Sequence, residues 1–467
     1  VTMTESFKLR IIETGRVIES FSRYDIDLSM HTIGTAFTFS VWSSDIDESA
    51  WRALVLDTKL GHRIAFEINE QVVYTGWIET IDVPVNRKDG ALLVMSGRDL
   101  AALAVDWDVH PATDVRNKPL SEALTTLFAQ VGVSVVTASG ADAAPVLEGR
   151  VARRRTNGNG TTRRNNVVRT NTRPEKGETI MHFAQRMIDK LGFMVWLAPE
   201  STGQNVVLVV DKPAYDSDPV FTFERRFTDS TRRVVTATSN ILESHYSAQI
   251  RNIPTQVSAY GRAPRGDQLP SRTRSRLNAR EFLLWSETEY GGMHLSLNST
   301  ANTPAAVARE YRQRAARDAA RLQQSGVATT SAAPWHRPTA TRQVFTNDDL
   351  SRFPCVAQPL PPHPRHLHDK RAINPRTGEQ AARAVIARSM KDFRRYEVTV
   401  RGHSQQVNGV TVNYALNTMA RVYDGRAYID EHMLITDVKY SGSRQGHQET
   451  RITLGTRGAI YLEPEQS

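Results

Sequence analysis

The densest group of potential metal ligands in this chain is His363, His366 and His368, followed by Asp369. His366 and His368 are spaced closely enough to chelate one cation, and imidazole suits transition metals. The stretch that leads into them, Pro359 to Pro364, is proline-rich and builds a connector, not a rigid cage. A solvated loop is therefore expected, with the three histidines as the candidate metal ligands. The second group is basic. Arg150 to Arg173 holds eight arginines and no acid, around Asn157-Gly158-Asn159-Gly160. Such a run could grip phosphates, but no aromatic is interleaved to stack bases. It can bury no core, so a flexible loop is expected, or one that touches an acidic neighbouring subunit.

Catalytic constellations are missing. The sequence has no Gly-x-Ser-x-Gly elbow, no phosphate-cradling Gly-Lys-Ser/Thr loop and no His-Glu-x-x-His. Carboxylates are plentiful, but none stands in a motif that marks an acid/base pair. The expectation is a chain that is not an enzyme, with no catalytic residue and no cofactor. The single cysteine, Cys355, excludes an intrachain disulfide and a multi-thiolate metal site. It fits synthesis in a reducing cytoplasm.

The elements that would position these groups fall into several domains. A length of 467 residues is about three or four domains' worth. Apolar residues make up 40% and charged residues 23%, normal for a folded protein. The net charge is +9. No stretch approaches the ~20 apolar residues that span a bilayer, and Val1 to Arg10 has no apolar core of a signal peptide.

Residues 1–105 read as short strands: Phe7 to Ile11, Ile26 to Met30 and Phe37 to Val41 alternate apolar and polar. A short helix at about Glu48 to Leu56 interrupts them. The rhythm then changes. Leu120, Leu124, Leu127, Phe128 and Val131 share one helical face, as do Ile180, Phe183, Ala184, Met187, Ile188 and Leu191. With the strands that follow each helix, 106–214 reads as a small α+β domain carrying the Arg-rich loop 150–173. Strands return from Val220 to Tyr260. A long, partly irregular stretch, 261–378, follows, with one helix from about Thr303 to Gln323. A helix from Glu379 to Phe393 then leads into strands from Tyr396 to Leu462. The fold class expected is mainly β with α+β: a first β-barrel at 1–105, a second, discontinuous barrel at 215–260 and 379–463, and an insertion at 261–378.

The order barrel, α+β insert, second barrel resembles the central baseplate hub of Mu-like contractile phages. That hub is related to the hub-like N-terminal half of type VI secretion spike proteins. Three stretches carry the resemblance: Val94-Met95-Ser96-Gly97-Arg98-Asp99-Leu100, Lys176-Gly177-Glu178-Thr179-Ile180 with its hairpin through Val210, and Ala420 to Leu462. An internal echo accompanies it. Ile78 to Arg98 reads strand, polar hairpin, strand, Gly-Arg, and Leu434 to Arg457 reads strand, polar hairpin, strand, Gly-Thr-Arg.

The resemblance implies a structural virion protein of the tail baseplate, made in the host bacterial cytoplasm. It would form a homotrimer whose two tube-like barrels per chain adapt a sixfold tail tube to a threefold spike. Partners implied are the spike protein, the tail tube or distal tube protein, the tape measure protein and baseplate wedge or sheath-proximal proteins. DNA would pass through the ring without specific binding. A hub of a type VI or bacteriocin particle is the alternative. A tail-associated peptidoglycan-binding or cell-wall hydrolase protein is the second, because Lys176 to Ile180 is also similar to the start of a LysM module. Arg265-Gly266-Asp267 and the sequon Asn298-Ser299-Thr300 are taken as chance.

Overall fold

The computed structural model describes residues 5–87, 90–115, 118–138, 174, 177–188, 193–226, 239–249, 394–444 and 448–456, with the backbone of 256–262, 340–346 and 364–368. The chain divides into two compact units. The first comprises Val1–Ala144, Thr172–Gln249 and Met390–Tyr461; the second comprises Pro145–Asn171, Ile250–Ser389 and Leu462–Ser467. Among the described residues no helix is long and apolar enough to cross a membrane.

The first unit begins with strands β1 (Phe7–Ile11), β2 (Arg16–Ile18), β3 (Arg23–Ser29) and β4 (Ala36–Trp42). Helix α1 (Glu48–Asp57) follows, then β5 (Arg63–Ile68), β6 (Gln71–Asp82), β7 (Val85–Asn86) and β8 (Gly90–Asp99). Period-two alternation gives each strand an apolar and a polar face. In β3 Tyr24 and Ile26 are fully buried, while Arg23, Asp25 and Asp27 point the other way. Helix α1 stops where the Thr58 hydroxyl donates to the Leu54 carbonyl at 2.7 Å. The strands pair antiparallel in the order β1-β5-β6-β8-β4-β3.

A smaller layered part follows: α2 (Ala102–Asp106), α3 (Leu120–Phe128), β9 (Ser134–Thr137), α4 (Ile180–Ile188), β10 (Met194–Pro199) and β11 (Val206–Asp211). Most of the helical faces read from the sequence are buried, Leu120, Leu124, Leu127 and Phe128 on α3 and Ile180, Phe183, Ala184 and Ile188 on α4; Val131 and Met187 are half-buried, and Leu191 lies outside the described residues. The three strands run β10-β11-β9, with β9 parallel to β11. Met194 and Trp196 pack on Met30, Met419 and Leu434, which fastens this part to the strands above. On the other side Arg10 donates to the Thr202 carbonyl at 2.8 Å while pairing with Glu67.

The remaining strands are β12 (Phe221–Arg225), β13 (Ile241–Ala248), β14 (Gln256–Arg262), β15 (Ala340–Thr346), β16 (Pro364–His368), β17 (Arg394–Arg401), β18 (Ser404–Val407), β19 (Val410–Asn413), β20 (Met419–Asp424), β21 (Ile429–Ser443) and β22 (Glu449–Thr456). In the first unit they pair in the order β12-β20-β21-β22-β17-β13. Laid against β1-β5-β6-β8-β4-β3, the order repeats: strand, hairpin, long strand, hairpin, strand at the centre, flanked alike. Both long strands carry a β-bulge, at Glu79 between Ile78 and Thr80 in β6 and at Thr436 between Ile435 and Asp437 in β21. The two sets differ in one direction: β1 is antiparallel to β5, but β12 is parallel to β20.

One expectation differs from what the structure shows. The strand at Thr255 to Tyr260 is expected in the second barrel. Instead β14 pairs with β15 and β16, which lie inside the expected insertion, and all three belong to the second unit. The sequence could not show this, because strand partners about eighty residues away or more leave no local trace. The helix expected at 379–393 lies outside the described residues. Helix α1 sits between β4 and β5. At the corresponding place, between β17 and β20, stands the hairpin β18–β19.

Candidate functional site: a seam between two strand sets

The two strand sets meet by backbone pairing. β3 pairs antiparallel with the second half of β21 over Asp437↔Ser29 to Ser443↔Arg23. The first half of β21, Ile429 to Leu434, pairs with β20. One strand thus belongs to both sets, and an eight-stranded wall runs β13-β17-β22-β21-β3-β4-β8-β6. Its inner face packs into a single apolar core with Tyr24, Phe39, Tyr396, Tyr440 and Leu454, joined by Phe7 of β1. Phe7 stacks on Tyr24 at 3.8 Å. Gly442 lies directly against the Tyr24 ring, so a Cβ there would collide with it.

A buried polar node sits at this seam. His403 is fully buried, with Nε2 2.6 Å from the Tyr24 hydroxyl and Nδ1 2.8 Å from Thr450 Oγ1. The Thr450 hydroxyl donates to the Gly402 carbonyl at 2.6 Å, so its oxygen must accept from Nδ1–H. Nε2 is then the acceptor for Tyr24. Burial pushes the imidazole down to about 3, and burial raises the Tyr24 hydroxyl well above its ordinary value. Both groups are therefore neutral at pH 7. Glu5 closes the node from outside, accepting the His403 N–H at 2.6 Å and the Ser404 hydroxyl. Beside it the β5–β6 turn seats on β18–β19: Asn69 Nδ2 donates to Asn413 Oδ1 at 3.0 Å, and Asn413 Nδ2 donates to the Ile68 carbonyl at 2.9 Å.

The motif Gly97-Arg98-Asp99 fastens the first set. A Cβ at Gly97 would collide with the Trp77 carbonyl, so the bulge of β6 requires glycine opposite. Arg98 pairs with Glu79 at 2.8 Å and Asp106 at 2.6 Å. Asp99 accepts from the Thr35 N–H, the Thr35 hydroxyl and the Ala101 N–H, which turns the chain into α2. Burial pushes its carboxyl up to about 6, although these donors pull the other way. A second anchor is Asp424. Burial alone would raise its carboxyl, but donation from the Tyr396 hydroxyl, the Arg426 N–H and Arg225 leaves it below the ordinary range.

The outer face of the wall is polar. It presents Glu243 and His245 on β13, Arg395 to Arg401 at alternate positions on β17, and Glu449 and Arg451 on β22. Asp437 and Lys439 on β21 and Arg23, Asp25 and Asp27 on β3 continue it, followed by Thr38 and Ser96. Trp42, Leu92 and Val94 are its apolar members at one end. The charges neutralise one another: Lys439 lies 3.2 Å from Asp27, Arg23 2.8 Å from Asp25, and Arg395 2.9 Å from Glu397.

Of the histidines singled out by sequence, His366 and His368 are in β16, in register with Ser258 and Tyr260. His363, Asp369, the Arg-rich loop 150–173 and Cys355 lie outside the described residues. Among the described residues no group of three or more His, Cys, Asp or Glu could hold a metal ion. Sequence reasoning missed His403. Its local setting, Gly402-His403-Ser404, looks like any turn, and its partners are 379 and 47 residues away.

The fold is that of solved phage tail proteins. The 43 kDa tail protein of prophage MuSo2 from Shewanella oneidensis superposes with a TM-score of 0.60 at 14% sequence identity, covering 98% of this chain and 100% of that one. The tail protein from Neisseria meningitidis MC58 gives a TM-score of 0.59 at 16% identity, covering 98% of each chain. The sequence matches no protein-family profile and no curated protein.

Proposed function

We propose that this chain is a structural subunit of a phage tail, the baseplate hub that joins tail tube to spike. The observation that carries this reading is the shared wall. Two strand sets of like order are welded through β21 into one sheet with an apolar inner face and a charge-paired outer face. A repeated set in a closed trimer presents six similar sets, which meets a sixfold tube above and a threefold spike below. Full-length likeness to two tail proteins supports the same reading.

Each strand set closes as a tube-like barrel, and the outer face of the wall lines the channel. A lining that mixes Lys and Arg with Asp and Glu in comparable number, with Arg23, Arg395 and Lys439 paired, holds a polyanion weakly, so DNA slides past it without being gripped. The spike, tube and tape measure proteins contact the rims. The chemistry of this protein is assembly, not catalysis. Labelling the chain in purified parent particles tests the assignment. Label at the end of the tail where tube meets spike is expected; label along the whole tube or on the capsid would refute it.

A further inference from the structure

The β10–β11 turn, Glu200 to Asn205, docks on the first strand set through its backbone. Three successive carbonyls are each received by a different side chain. Arg10 Nη2 donates to Thr202 at 2.8 Å, the Thr75 hydroxyl to Gly203 at 3.4 Å, and Arg63 Nη1 to Gln204 at 3.2 Å. The socket also fits the turn in shape. Gly203 is buried in it with φ at +68°, and a Cβ there would lie 2.9 Å from Ala65 Cβ and 3.2 Å from a Val72 methyl. Glycine is therefore required twice, by the backbone and by the socket.

Every polar group of this contact keeps a partner when the contact is broken. Arg10 also pairs with Glu67, and Arg63 with Glu13, each at 2.8 Å. When the turn leaves, both guanidinium groups keep their carboxylates and no charge is stranded. The turn keeps its own bonds as well. The Glu200 N–H donates to the Asn205 carbonyl at 3.0 Å, the Gly203 N–H to the Glu200 carbonyl at 2.8 Å, and the Gln204 N–H to the Thr202 hydroxyl at 3.3 Å. The three freed carbonyls pass to water, an exchange of small net cost. Docking does not even satisfy the socket fully, because the buried Arg10 Nε has no acceptor among the described residues.

The other end of the hairpin is held differently. Met194 and Trp196, at the start of β10, pack on Met30, Met419 and Leu434. Beyond β11, Asn417 clamps the chain, accepting from the Ala214 N–H at 2.8 Å and donating to the Lys212 carbonyl at 3.2 Å. Parting there would expose apolar surface, at a cost that grows with its area. One hairpin thus has a polar fastening at its tip and an apolar one at its root.

We infer that the β10–β11 turn is a releasable latch, whose tip leaves the socket of Arg10, Thr75 and Arg63 while Met194 and Trp196 stay packed. The opening is local and leaves both strand sets and the methionine cluster in place. It lies within one chain, so it stands whether or not the chain is a hub.

The test uses the full chain with Cys355→Ser and one new thiol at a time. Thr75→Cys is nearly isosteric and replaces a side chain that is 1% exposed beneath the turn; Met30→Cys stands in the methionine cluster, at 2%. Each rate with a thiol reagent is divided by that of the same variant unfolded. Thr75→Cys is expected to react at least about tenfold faster than Met30→Cys under native conditions, because a local opening is more populated than a global one. Equal protection would overturn the latch. The rate at position 75 should also stay flat in low denaturant, since a local opening exposes little surface; a slope equal to that of global unfolding would overturn it. Adding Gly203→Ala should speed reaction at position 75 and leave position 30 unchanged. No gain at 75, or an equal gain at 30, would contradict the latch. The comparison of the two thiols holds without this third change, should that variant fail to fold.

Discussion

His403 is the residue on which the seam turns. It joins Tyr24 of the first strand set to Thr450 of the second through one neutral ring. Replacing it with Ala takes the acceptor from the buried Tyr24 hydroxyl, at about 1–3 kcal/mol when such a group goes unsatisfied, and leaves a cavity beside Thr450, whose hydroxyl keeps the Gly402 carbonyl. His403→Ala should lower stability by about 2–4 kcal/mol in a denaturant titration. The pH dependence has a definite sign. The folded-state value is about 3 and the ordinary one 6.5, so between them the unfolded chain holds a proton that the folded chain refuses. Stability from this group is complete above pH 6.5 and falls as pH drops toward 3. Asp99 acts oppositely: its folded value of about 6 lies above the ordinary 3.8, so its contribution improves as pH falls through that window. The wild-type acid limb combines these two with depressed carboxyls such as Asp424, which likewise lose their contribution as pH falls. His403→Ala should flatten it; an acid limb as steep as wild type would show that His403 is not its source. None of this was legible in the sequence, where a buried and an exposed histidine look alike. Gly97-Arg98-Asp99 was legible as a motif, yet the separate duties of its residues needed the partners Trp77, Glu79, Asp106 and Thr35.

At the scale of elements, the β6–β8 hairpin is the most constrained. Gly97→Val places branched carbons against the Trp77 carbonyl and the Glu79 N–H, so the bulge must open. A loss of about 3 kcal/mol is expected from overpacking of this kind. Arg98→Ala should cost no more than about 1 kcal/mol, because its side chain is a third exposed and water screens both pairs. Equal losses for the two would contradict the division of labour. The loop 150–173 should be dispensable for folding, because lengthening a flexible connection adds about 0.6 kcal/mol per doubling. A short Gly/Ser linker in its place should leave the melting temperature in place, and a fall of more than about 10 °C would show a structural role. Helices α3 and α4 could be read from the sequence because a 3.6-residue period is a local signal. The partners of β14 could not, and neither could the hairpin that stands where α1 does in the first set. Both depend on pairing between distant segments.

For the whole molecule, the repeat is the organising fact. It was visible in the sequence as the echo of Ile78 to Arg98 in Leu434 to Arg457, which the structure places on β6–β8 and, through Thr456, on β21–β22. What the echo could not convey is that the two sets share one wall, since β3 and β21 lie some four hundred residues apart. The mixed charges of the outer face, which we propose lines the channel, predict weak DNA binding with a shallow salt dependence, in contrast to a slope near −0.9 per neutralised phosphate for a true binder. The central claim is a ring of three chains presenting six strand sets. Native mass measurement of the hub released from particles tests it most directly. A mass of three chains is required; a ring of six chains, or a single chain within the intact particle, would contradict it.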